Sequence, residues 1–437
     1  MNELNYQQLI QEHAAEFLTD LKSVLQIPSI KGPTATGEPF GPGPRAALEQ
    51  TLKLAESYGF KRKTIGDAVG YAAFGESSEY IGVVGHLDVV AAGSGWDYPP
   101  FDLSEDTENF YGRGILDNKG PILACLFALK LLKDAGFQPK RQIRIIFGTD
   151  EESGSADLPL YLAEEQPPIF GFTPDGKYSV VYGERGVVNY QLRTAFSESA
   201  LSDLGAFNGD QARDHVPDEL TVTYQGKTFF AVGKRAPSNA PDLGLNAITL
   251  LAEKLLGEAA LPTEVATYFS WLYTSFHQKH AGEGLNIAFE DGDSGKLMIT
   301  PYQLQKDGTQ LVLDFAVRYP VTFSEDDVTA GLLQVIPEAS QLNVTRRIKS
   351  HVIPKEAAGI QILSRVYEET SGLDGTPVTT TGATYARSMP NIVAFGPSFP
   401  GQKGIAHNKN EYMAKKDLFL NMEIYLKAIC ALAVADL

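Results

Sequence analysis

Seven residues spread over most of the chain have side chains suited to holding and using divalent cations: His86, Asp88, Asp117, Glu151, Glu152, Asp175 and His407. Two cations bound side by side repel each other. A shared anionic bridge must offset that repulsion, each ion needs terminal His or carboxylate ligands, and one position must stay open for water or substrate. One bridging Asp, two His and two terminal carboxylates meet that need, and a further carboxylate would serve as a general base. Taken singly, each residue also has an ordinary reading. A histidine on a strand packs in a core or sits on a surface, an Asp before Gly makes a turn, and the TDEESG cluster (149–154) is a solvated acidic loop. The chain has only two cysteines, Cys125 and Cys430, both in apolar runs. A disulfide scaffold or a Cys-ligated cluster is therefore excluded, which favours a hard-to-borderline ion such as Zn or Mn.

The elements that must position these residues read as an α/β layer. IGVVGHLDVV (81–90) is a short apolar run, read as a buried strand with His86 and Asp88 at its C-terminal end. GPILACLFALKLLKDAG (120–136) reads as a buried helix with Pro121 in its first turn and Gly136 at its end. RQIRIIFG (141–148) reads as a strand that runs into the acidic loop. Residues 4–26 read as one amphipathic helix stopped by Pro28, and residues 44–57 as a second helix ending at Gly59. Strands alternating with helices predict a mostly parallel central sheet, with chemistry at the carboxyl ends of its strands.

The pattern changes near residue 184. VVNYQLRTAF, ELTVTYQGKTFFAVG and QLVLDFAVRYP alternate as antiparallel strands do, and LGLNAITLLAEKLLGE reads as an amphipathic helix. The expected organisation is a catalytic α/β domain over 1–183 and 351–437, interrupted by an inserted α+β lid domain over 184–350, with helices returning near 356–370 and 415–434. A length of 437 residues leaves room for two or three domains at roughly 150 residues each. A net charge of −17 argues against nucleic acid and anionic membrane as partners. The N-terminal residues lack a signal-peptide core and no stretch approaches the roughly 20 apolar residues of a membrane span, so a soluble, cytoplasmic protein is expected.

The motif strings GHLDVV (85–90), GWDYPPF (95–101), YGRGILDNKGP (111–121), FGTDEESGS (147–155) and FTPDGKY (172–178) occur in that order. TGATYAR (381–387), FGP (395–397) and AHNKNEY (406–412) follow them. Together they closely resemble the PepV-type dipeptidases of the aminoacylase/carboxypeptidase superfamily of dinuclear metallopeptidases. The resemblance covers nearly the whole chain. It implies two divalent ions per chain, Zn first with Mn or Co as alternatives, and a small peptide substrate. His86 and Asp175 would hold one ion, Glu152 and His407 the other, with Asp117 between them. Asp88 would orient the His86 imidazole. Glu151 would take the proton of the attacking water and hand it to the leaving amine. The segment 263–299 fits a PepV-type lid extension and implies a monomeric catalytic unit. The interruption of the catalytic domain puts the hinges of a closing lid near 183–187 and 349–354.

The chain departs from that pattern in the lid. In GKRAPSNAPDLGLNA (233–247) Pro237 stands where relatives carry a histidine that helps hold the oxyanion, and proline has no side-chain donor. In DHVPD (214–218) Asp214 stands where relatives carry an Asn that contacts substrate. Arg318 of AVRYP (316–320), the family's carboxylate-binding arginine, is retained, as is the Gly382 region of TGATYAR. His215, Ser238 and Asn239 are the candidate replacement donors by proximity. The expected activity is metal-dependent hydrolysis of short unblocked peptides. The alternatives are an amidohydrolase acting on N-acyl amino acids and a catalytically impaired metal- and ligand-binding homologue.

Overall fold

The computed structural model describes residues 5–437. Packing divides them into two compact units. The first comprises residues up to Tyr182 together with Ile353–Val378 and Gly382–Leu437; the second comprises Gly183–Val352 with Thr379–Thr381. Among the described residues, no helix is long and apolar enough to cross a membrane.

The first unit is built on a mixed sheet. Its middle strands run parallel in the order Gln142–Gly148, Tyr80–His86, Phe170–Thr173, Ile392–Phe395. The expected parallel sheet is thus confined to the middle, because short connections elsewhere force reversal. Lys61–Ile65 and Val69–Phe74 pair antiparallel around a tight turn in which Gly66 and Asp67 both have positive φ, 56° and 54°, a conformation that hairpins of this kind require. Val69–Phe74 then pairs antiparallel with Gln142–Gly148. Tyr80–His86 is buried along its whole length, as a strand covered on both faces must be. It ends at His86, so Asp88 lies in the loop beyond it rather than on the strand.

The helix Lys119–Asp134 is buried on nearly every side and packs against that strand and the C-terminal helix Lys415–Val434. This explains a sequence apolar all round rather than striped. Truncating a core leucine such as Leu126 to Ala would cost about 2–5 kcal/mol. The expected single N-terminal helix is two, Tyr6–Glu12 and Ala14–Leu25. His13 breaks it: its backbone leaves helical geometry (φ −107°, ψ 6°) and its ring bonds Glu16 at 3.0 Å. Ile10, Phe17, Leu21, Val24 and Leu25 are still buried, which keeps the amphipathic stripe. Residue 4, where that helix was expected to begin, lies outside the described residues. The second helix starts two residues early, at Pro42, because a proline fits the first turn.

The second unit carries a four-stranded antiparallel sheet in the order Met298–Asp307, Gln310–Tyr319, Gly186–Ala195, Ser340–Ile348. One face packs Val188, Tyr190, Leu192, Leu313, Phe315 and Val317 into a core with helices Ala247–Glu258 and Thr263–Phe276. Because successive strand residues alternate faces, Asn189, Gln191, Ala316 and Arg318 occupy the other face. Glu219–Tyr224 and Lys227–Val232 form a separate hairpin.

Candidate metal centre

Parallel register brings the first unit's polar residues together. His86 ends its strand beside Gly148, and Leu87 N–H donates to the Gly148 carbonyl at 2.9 Å. The acidic loop therefore leaves its strand directly beside His86. Asp175 follows the neighbouring strand Phe170–Thr173 by two residues. Asp117 precedes helix Lys119–Asp134, whose N-cap Asn118 donates to the Pro174 carbonyl at 2.6 Å and accepts from His86 N–H at 3.3 Å. Gly85 is needed here, since a Cβ would press on the Asn118 side chain and on Ile122. The Asp117–Asn118 peptide is cis.

His86 is fully buried and its Nδ1 lies 2.9 Å from the backbone carbonyl of Asp88. A carbonyl only accepts, so Nδ1 carries a hydrogen and Nε2 faces Asp117 Oδ1 at 3.0 Å and Asp175 Oδ2 at 3.6 Å. His407 Nε2 lies 3.0 Å from Asp117 Oδ2 and 3.0 Å from Glu152 Oε1. Its backbone sits in the left-handed region at φ 63°, which non-glycine residues adopt infrequently. Ligand atoms of His86, Glu151 and Asp175, and of His86, Asp117 and Glu152, form two clusters within 4.8 Å. Asp88 does more than face the imidazole. Its carboxylate is 3.5 Å from His86 Nδ1, farther than its own carbonyl, and accepts the backbone N–H groups of Glu151 at 3.2 Å and Glu152 at 3.1 Å. It anchors the acidic loop.

Four carboxylates thus face two imidazoles. Burial raises Glu151, with Asp175, Asp117 and Glu152 adding to the rise. Burial also raises Glu152 and Asp175. Asp117 is held well below the usual carboxylate range: burial opposes this, but hydrogen bonds to His407 and His86 outweigh it. His407 is lifted to about 10 by Asp117 and Glu152. His86 also rises, because Asp117, Asp175 and Asp88 outweigh the cost of burying its charge. The same crowded carboxylates that favour a proton on each imidazole would favour a divalent cation in its place. The donor set of His nitrogen and carboxylate oxygen, with no thiolate, fits Zn, Mn or Co.

Three supports were not singled out from sequence. Glu411 is completely buried; its Oε1 accepts N–H groups of Gly114 (3.1 Å), Leu116 (2.9 Å) and Asp117 (3.0 Å), and its Oε2 meets Arg113 at 2.7 Å. Asp157 accepts the Tyr385 hydroxyl and the N–H groups of Thr149 (2.7 Å) and Asp150 (3.2 Å). Gly148 makes room for that contact, since a Cβ there would overlap the Tyr385 hydroxyl. Lys31 meets buried Asp150 at 2.6 Å. The signal was available, because Glu411 falls inside AHNKNEY and Asp157 two residues past FGTDEESGS.

The remaining expected site residues lie elsewhere. Arg318 and Asp214 line a pocket of about 260 Å³ within the second unit, with Ser238 and Asn239. Arg318 Nη1 donates to the Thr381 carbonyl at 2.9 Å. Pro237 is exposed and forms a β-bridge with His215. His215 is not in that lining: its Nδ1 meets Asp214 at 2.7 Å and its Nε2 lies 3.5 Å from Asp210. Of the three candidate donors, Ser238 and Asn239 alone reach the pocket. Gly382 belongs to the first unit, where its carbonyl accepts from Arg387 at 2.6 Å.

Comparison with known proteins agrees with this architecture. The chain is 30% identical to the putative dipeptidase YtjP of Bacillus subtilis (strain 168), over 98% of this chain and 100% of that one. It is 30% identical to a Beta-Ala-Xaa dipeptidase of Lactobacillus delbrueckii subsp. lactis, over 98% of each. Among solved structures, human carnosine dipeptidase 1 shares the fold at a TM-score of 0.60 and 15% identity, covering 98% of both chains. Aminoacylhistidine dipeptidase from Vibrio alginolyticus does so at 0.61 and 14%, covering 94% of this chain and 96% of the other. Residues 82–431 match the model of peptidase family M20/M25/M40. The chain belongs to that family of metal-dependent peptide-bond hydrolases.

Proposed function

We propose that this chain is a dipeptidase acting on short unblocked peptides, with two divalent ions held by His86, Asp117, Asp175, Glu152 and His407. The observation that carries this reading is Asp117, whose two oxygens each face a different histidine at 3.0 Å. A carboxylate so placed suits a bridge, and Asp175 and Glu152 then complete one pair each. When bound, the ions supply Lewis acidity to the scissile carbonyl and lower the pKa of the attacking water.

Glu151 is the carboxylate left over, although it lies as close to His86 and Asp175 as a ligand would. In this reading it takes a proton from water as the oxygen–carbon bond forms. It returns that proton to the amine nitrogen as the carbon–nitrogen bond breaks. Asp88, Asp157 and Asp150 keep the backbone carrying Glu151 fixed, so the base does not have to be ordered in each turnover. The second unit acts as the lid, and Arg318 receives the substrate's terminal carboxylate. Ser238 and Asn239 are the candidates for the oxyanion donor that Pro237 cannot supply; losing such a donor costs roughly 10²–10³ in turnover.

Hydrolysis of a panel of unblocked dipeptides and N-acyl amino acids, with added Zn, added Mn or chelator, tests the reading. Metal-dependent cleavage of dipeptides supports it. Cleavage confined to N-acyl amino acids would make the chain an amidohydrolase, and metal binding without turnover would make it an impaired homologue.

A further inference from the structure

The pocket in the second unit has a charge pattern that one terminal carboxylate does not account for. Three arginines line it, Arg213, Arg318 and Arg346, against the single acid Asp214, whose carboxylate is engaged by His215 at 2.7 Å. The sheet dictates part of this arrangement. Arg346 lies opposite Asn189 in register and Arg318 opposite Val187, on the two strands flanking Gly186–Ala195. Strands two apart are separated by roughly 10 Å, so two long guanidinium side chains address one pocket from opposite sides. The third, Arg213, comes from the loop that carries Asp214.

Between them sits Asn189, 3% exposed, whose Oδ1 has no hydrogen-bond partner among the described residues. A buried acceptor of this kind costs stability unless a ligand satisfies it. The volume of about 260 Å³ is just under the roughly 300–1,000 Å³ of pockets that take drug-sized ligands, and suits a single amino-acid residue. Guanidinium groups match carboxylates in shape as well as charge.

Resting on the dipeptidase reading above, we infer that this pocket selects a C-terminal residue bearing two carboxylates. Arg318 takes the main-chain carboxylate, Arg346 and Arg213 take the side-chain carboxylate, and Asn189 Oδ1 accepts an N–H of the same residue. Arg346 and Arg213 are then specificity-determining residues, and the preferred substrates are dipeptides ending in Glu or Asp. Asp214 alone would have pointed to a cationic group, but the arginines outnumber it.

The test compares Ala-Glu with Ala-Gln, which differ in charge and hardly in shape, for the wild type and for Arg346→Gln. The expected kcat/KM ratio in the wild type favours Ala-Glu by roughly tenfold to a hundredfold, carried mainly in KM. It falls toward one in Arg346→Gln and shrinks with added salt. A wild-type ratio of one or less, or a ratio unchanged in Arg346→Gln, overturns the inference. Calorimetric titration with glutarate and with butyrate keeps it separate from the dipeptidase reading. If no dipeptide is cleaved, that reading fails by itself. The pocket inference then stands if glutarate binds more tightly than butyrate and Arg346→Gln removes the difference, and falls if the two acids bind alike.

Discussion

Asp117 presents Oδ1 to His86 Nε2 and Oδ2 to His407 Nε2, each at 3.0 Å. The two histidines come from residues more than 300 positions apart in sequence, and one carboxylate joins them. Replacing Asp117 with Asn removes the bridge's charge, whereas replacing His407 removes one terminal ligand. Metal analysis after dialysis should find Asp117→Asn depleted of both ions and His407→Ala depleted of one. Equal depletion in the two variants would speak against a bridge.

Glu151 poses a different question, because proximity alone makes it a possible ligand. As a base it should tolerate Glu151→Gln with metal content unchanged and kcat lowered by roughly 10²–10⁴. Loss of one ion in Glu151→Gln would reassign it as a ligand.

Glu411 holds the loop before Asp117 by three backbone N–H groups and Arg113. Glu411→Gln places a donor among donors and leaves the buried Arg113 without its anionic partner. The expected cost is about 3–5 kcal/mol in chemical denaturation, with metal affinity weakened roughly 10–100-fold. Unchanged stability and affinity would show that the loop is held by other means.

Asp157 gives a pH signature. Burial pushes its carboxyl to about 6, against the ordinary 3.8, although Tyr385 and the Thr149 N–H pull it down. A folded-state pKa above the unfolded one means that the native protein binds the extra proton. The stabilisation this provides is complete below about pH 4 and is lost as pH rises through about 6. Urea unfolding of the wild type relative to Asp157→Asn should therefore shift against the wild type between pH 4 and 6 and stay level above that. A difference that is flat across this range would remove Asp157 from the account.

Much of this was legible in the sequence, for physical reasons. Buried strands read as short, mostly apolar runs, so Tyr80–His86 and the Ile143–Phe147 stretch of Gln142–Gly148 stand out, and with them the His86 and Glu151–Glu152 positions. His407 has no such frame: it lies in a loop with a left-handed backbone, and motif resemblance rather than periodicity pointed to it. The antiparallel flanks were missed because a turn as short as that around Gly66 and Asp67 fixes direction without altering the apolar pattern. Glu411 and Asp157 were passed over because their work is to accept backbone N–H groups, a role that any acidic residue in a loop resembles. Asn189 and Arg346 converge only through sheet register, which alternation within each strand does not reveal.

Pro237 and Asn239 provide a paired test of the lid. If Asn239 supplies the oxyanion donor, Asn239→Ala should lower kcat by roughly 10²–10³ with little change in KM, and Pro237→His should recover part of that loss in the double variant. An undiminished kcat in Asn239→Ala would assign the donor elsewhere.

The most direct measurement of the central claim is dipeptide turnover by metal-stripped wild-type protein as Zn or Mn is added back, with bound metal counted in the same samples. Negligible activity is expected without metal, full activity near two ions per chain, and no recovery in Glu151→Gln at the same occupancy. Turnover that persists in the stripped protein, or that saturates with Glu151→Gln as active as wild type, would contradict it.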